Sequence, residues 1–100
     1  MLDMFSSALQ DYGLAGQVIS EFFYVYILVS ERDEHIHYTG ITTDVEQRLG
    51  EHNRGSCSHT SVNRRWRTET VIAFKSETKA RAFEKYLKSG SGREFARRHF

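Results

Sequence analysis

Five side chains able to handle a phosphate diester occur in order along the chain: Tyr26, Tyr38, Arg48, His52 and Glu84. Hydrolysing such a bond requires a deprotonated water, an offset for the charge that builds on the phosphorus oxygens, and help for the departing alkoxide. An arginine fork grips phosphate oxygens in two places, and lysine is a poor substitute for it. A glutamate is an oxygen ligand of the kind Mg2+ or Mn2+ prefers, and Mg2+ commonly keeps several waters beside only one or two carboxylates. A free tyrosine titrates near about 10 and is a poor base in water unless a neighbouring cation favours the phenolate. Histidine, near about 6.5, is the rival base.

Each residue alone also has a plainer reading. A strand tyrosine usually packs with its hydroxyl at the rim. Arg48 and His52, four apart, can be a solvated helix face, and Glu84 can simply pair with Lys88. The joint pattern carries the weight: two tyrosines on neighbouring strands, an Arg-His pair one helical turn apart, and a glutamate on a later helix. His35 and His37 with Cys57 and His59 form a rival zinc set, but their spacing is not that of a zinc finger.

These residues need elements to position them. FFYVYILV, residues 22–29, mixes aromatic and β-branched residues as strands do, and it ends in the polar turn SERDEH. HIHYTGIT then alternates, with Ile36, Tyr38 and Gly40 on one face and His37, Thr39 and Ile41 on the other, completing an antiparallel hairpin. Thr43 with Glu46 forms a capping box that opens a helix near Asp44, on which Arg48 and His52 share a face. RGSCSHTSVNRRWR lacks a period and reads as a loop. TETVIAFK predicts a third strand, and SETKARAFEKYLKS a second helix capped by Ser76. A stop at Gly90 and a second capping box, Ser91 to Glu94, predict a short basic helix at the end. The expected fold is an α/β (α+β) domain, a three-stranded, mainly antiparallel sheet flanked by helices in the order β-β-α-β-α-α. Residues 1–21 form an N-terminal appendage, helical or flexible, and residues 22–100 the catalytic domain.

One domain is what 100 residues with 39% apolar content support. The longest apolar stretch falls far short of the roughly 20 residues that span a bilayer, and the start lacks the marks of a signal peptide. The single cysteine, Cys57, fits a reducing compartment. A cytoplasmic protein without membrane association is therefore expected. Residues 1–47 carry a net charge of −7 and residues 48–100 one of +8, and a basic half favours a polyanionic partner through counterion release. Arg54, Arg64, Arg65, Arg67 and Lys88 are candidate phosphate contacts. Trp66, set among arginines, either stacks a base or closes the core where the third strand begins.

The segments YVYIL, YTGIT, DVEQRLGEHN and ARAFEKYLKSGSGREF together resemble the GIY-YIG nuclease superfamily, in particular its short stand-alone bacterial members related to the N-terminal nuclease domain of UvrC. The resemblance covers roughly residues 23–98. It places the first motif on Tyr24, Val25 and Tyr26 and the second on Tyr38, Thr39 and Gly40, with Arg48, His52 and Glu84 filling the other reactive positions. It implies that Tyr38 acts as base with His52 assisting, that Tyr26 orients water or phosphate, and that Glu84 holds Mg2+ or Mn2+. It further implies a DNA endonuclease, structure-selective or weakly specific, acting on branched, nicked or single-stranded DNA in repair or recombination. The competing expectations are a non-catalytic nucleic-acid-binding module and a partner-interaction protein of the same fold.

Overall fold

The computed structural model describes residues 22–100 of the chain, so the appendage expected over residues 1–21 lies outside the described residues. The elements follow in the expected order: β1 (Phe23–Ser30), β2 (His37–Thr42), α1 (Val45–Arg54), β3 (Trp66–Phe74), α2 (Glu77–Leu87) and α3 (Gly90–His99). A single 3-10 turn, Ser61–Asn63, interrupts the loop before β3. The sheet order is β2-β1-β3, with both pairings antiparallel.

As the central strand, β1 is covered on both faces, which explains why its sequence is apolar almost throughout. Val25 and Ile27 pack with Ala80 and Leu87 of α2, joined by Phe83, Phe95, Phe74 and Ile41. Tyr26 and Leu28 face the other way, against Trp66, Val71, Ile36, Tyr38 and Leu49 of α1. The β1–β3 pairing skips Glu69, since Ile27 pairs with Thr70 and Leu28 with Thr68. This bulge changes the phase of β3, so that Trp66 and Val71, an odd number of residues apart, reach the same face.

The helix starts differ from those expected. Asp44, not Thr43, caps α1, its carboxylate accepting from the Gln47 amide at 3.0 Å, while the Thr42 hydroxyl accepts from the Asp44 amide at 3.1 Å. Gly55, with φ 81, closes this helix in the left-handed conformation that glycine tolerates best. Ser89, not Ser91, caps α3, accepting from the Gly92 amide at 3.1 Å, so Gly90 lies inside the helix rather than stopping the one before. The reason is steric. Gly92 sits against the Tyr86 carbonyl and Leu87 Cα so closely that any Cβ would collide with backbone, which brings α3 straight onto the end of α2.

Candidate active site

Tyr26 lies mid-strand on the α1 face of β1, 1% exposed. Its hydroxyl bonds to His52 Nε2 at 3.0 Å, and the Arg48 guanidinium lies near enough to act on it electrostatically. Arg48 and His52 therefore share a face, as their spacing predicts, but that face turns inward: His52 is 0% exposed. On its other side His52 Nδ1 meets Thr60 Oγ1 at 2.7 Å. The Tyr38 ring stands 4.9 Å from the imidazole and 6.4 Å from the Tyr26 ring, centroid to centroid, and is only partly buried. Lys88 Nζ lies 5.9 Å from the Tyr38 ring centre and 2.9 Å from a Glu84 carboxylate oxygen. A chain of direct contacts thus runs from Arg48 through Tyr26, His52, Tyr38 and Lys88 to Glu84.

The five residues nonetheless divide by access. Arg48 lines a cleft of about 460 Å3 with Thr42, Gln47 and Glu51. Tyr38 and Lys88 line a second one, of about 820 Å3, between β2 and α3. Tyr26 and His52 are enclosed. Tyr26 keeps its hydroxyl in the interior against His52 and lines neither of these two clefts.

The electrostatics agree with this division. Burial, opposed by the nearby Arg48, pushes the Tyr26 hydroxyl up to about 12, so it stays protonated at neutral pH. Burial and then the nearby Arg48 charge hold the His52 imidazole below its usual value, so it is neutral. Arg48 is raised by its hydrogen bond to Glu51, at 2.6 Å, and then by the nearby Tyr26. The Arg48 side chain is 37% exposed, so part of the fork faces the cleft.

Lys88 is the one expected phosphate contact joined to this chain. Arg54, Arg64, Arg65 and Arg67 are exposed at the far end of β1, where Arg67 pairs with Val29 and the Glu31 amide donates to the Arg65 carbonyl. Trp66 is 4% exposed, and its indole donates to the Thr60 carbonyl at 2.9 Å. Of its two readings, base platform and core closure, only the second is sterically open, because no face of the ring is free. Asn53 clasps the Trp66 backbone from both sides, accepting from its amide at 2.6 Å and donating to its carbonyl at 3.0 Å.

Sequence reasoning missed two contributors. Glu51 orients Arg48, and its spacing of three residues was a legible signal. Thr60 gave none, lying in a loop without periodicity. Among the described residues no three His, Cys, Asp or Glu side chains gather as a metal cluster. A cation at Glu84 would rest on one carboxylate and its own waters, a donor set that suits hydrated Mg2+ or Mn2+ and not zinc.

Tyrosine, arginine and histidine thus gather between α1 and one face of the sheet, in an α+β domain. The GIY-YIG catalytic domain matches residues 22–97, and the chain belongs to that family. Neither the curated proteins nor the solved structures give a match to it. Family membership carries a nuclease-type function in general, with DNA as the class of substrate and divalent metal as the usual helper.

Proposed function

We propose that this chain is a divalent-metal-dependent DNA endonuclease, structure-selective or weakly specific, working in the cytoplasm in repair or recombination. The observation that carries the reading is the Tyr26–His52 hydrogen bond beside Arg48, with the accessible Tyr38 ring against it and Lys88 and Glu84 beyond. Arg48 grips the scissile phosphate with its free donors and offsets the charge gained in the transition state. Tyr38, the tyrosine that solvent reaches, enters as the phenolate and takes the proton of the attacking water, becoming the neutral phenol. His52 and Tyr26 hold Arg48 and the Tyr38 ring in place from below. Glu84 would hold Mg2+ or Mn2+, which supplies positive charge to the phosphate oxygens and the leaving group. Lys88, half exposed, has room to release Glu84 and turn to the phosphate backbone.

The described residues are taken up by the sheet, its helices and their loops, and no helix among them is long and apolar enough to cross a membrane. Selectivity for branches, nicks or single strands is supported by the open clefts on either side of the site, which admit a strand but offer no groove-reading helix.

The test is nicking of branched, nicked and single-stranded DNA by the full chain with Mg2+ or Mn2+. Chelation, Glu84→Ala and Arg48→Ala should each abolish it, with DNA binding largely retained in the glutamate variant. Binding without cleavage under either ion would replace this reading with that of a nucleic-acid-binding module.

A further inference from the structure

Every hydrogen in the buried row must have an acceptor, and that requirement fixes where the protons lie. Among the described residues the hydrogen-bonded neighbour of the Tyr26 hydroxyl is His52 Nε2, 3.0 Å away, and the nearby Arg48 guanidinium can only donate. No buried side-chain polar atom in the described residues lacks a partner. If Nε2 carried the imidazole proton, two donors would crowd the Tyr26 oxygen and the hydroxyl hydrogen would be stranded in a dry site, at the full desolvation cost of an unmade bond. Nε2 is therefore the acceptor and Nδ1 bears the hydrogen. That hydrogen points at Thr60 Oγ1, 2.7 Å away, and the threonine's own hydrogen passes on to the Cys57 carbonyl at 3.3 Å.

We propose that Thr60 is a positioning residue for the nuclease site: its hydroxyl locks His52 in the Nδ1–H form, which aims the Tyr26 hydroxyl inward and leaves the tyrosine oxygen to anchor Arg48. The loop carrying Thr60 is itself tied down. Trp66 donates its indole N–H to the Thr60 carbonyl, and Asn53, next to His52 on α1, clasps the Trp66 backbone. Thr60 is 1% exposed and lines neither of the two clefts described above, so it acts through His52. Its effect on cleavage rests on the nuclease reading above, but its effect on the imidazole does not.

The experiment is 15N NMR of the histidine side chains in the full chain, together with nicking rates, for the native protein, Thr60→Ser and Thr60→Val. The native protein and Thr60→Ser should show His52 as the neutral Nδ1–H tautomer with an unprotonated Nε2. Thr60→Val, which keeps the shape and removes the acceptor, should lose that single tautomer and nick roughly tenfold more slowly, whereas the serine variant should stay within about twofold of the native rate. A native His52 protonated at Nε2 overturns the proposal even if the valine variant fails to fold. So does a folded Thr60→Val that keeps the Nδ1–H form, or a serine variant that loses it. A native protein that shows the Nδ1–H tautomer without cutting DNA overturns the nuclease reading and leaves this proton arrangement intact.

Discussion

Tyr26 and Gly40 are register partners across β1 and β2, and the tyrosine ring lies over the glycine where a Cβ would project. A Cβ built on Gly40 would sit 2.6 Å from Tyr26 Cζ and closer still to the hydroxyl oxygen. The glycine of the second motif is thus space for the tyrosine of the first. Two segments that a sequence reads as separate motifs form one packing unit.

Gly40→Ala should therefore destabilise the domain by about 1–3 kcal/mol, as overpacking does, and lower nicking by displacing Tyr26 from His52 and Arg48. Urea unfolding measures the first effect. Adding Tyr26→Phe should recover part of the stability, because the hydroxyl is the nearest obstacle, but none of the activity. A Gly40→Ala protein as stable and active as the native one would contradict this packing.

The two tyrosines should respond oppositely to loss of their hydroxyls. Tyr26→Phe strands His52 Nε2 and unties Arg48, so it should cost about 1–3 kcal/mol of stability. Tyr38, partly exposed, should tolerate phenylalanine within about 0.5 kcal/mol and yet lose roughly 10²–10⁴-fold in rate if it takes the proton from water. Denaturation midpoints and single-turnover rates on the same preparations separate these effects. Equal stability losses in the two variants would refute the division between an enclosed and an accessible tyrosine.

His52 gives the fold a definite response to acid. Its folded pKa lies below the ordinary histidine value, so on acidification the unfolded chain takes up the proton first. The neutral buried imidazole is fully tolerated above about 6.5, and stability should fall as pH drops from there toward the folded value. Unfolding midpoints compared at about pH 8 and about pH 5.5 should show this loss, and His52→Gln should reduce it. Staying above pH 5 keeps the depressed carboxyls of Glu51 and Glu94 ionised in both variants. An unchanged pH difference in His52→Gln would assign the acid response elsewhere.

Much of the layout was legible from side-chain pattern. The apolar run of β1, the alternation in β2 and the four-residue interval between Arg48 and His52 each encode position locally, and local signals survive folding. The apolar Val45 and Leu49 mark an inward face of α1, and Leu49 does reach the core, but the full burial of His52 was not legible, because it looks polar in sequence and is drawn in only by partners on other elements. Trp66 illustrates the same limit. Its place at the start of β3 allowed both a base platform and closure of the core, and the bulge that decides for the core depends on pairing with β1. The helix caps slipped by one or two residues because Asp44 and Ser89 compete with adjacent residues of equal capping ability, and packing decides among them.

The bulge on β3 separates two kinds of change that sequence divergence can bring. Glu69 makes a 3.4 Å contact with His37 between partly exposed side chains, a pairing worth little, so its chemical identity should drift freely among relatives. Its presence should not. Losing one residue there would turn Trp66 away from α1, release the Thr60 loop and reach His52 from a strand that carries none of the five candidate residues. Position 69 is thus open to substitution and closed to deletion.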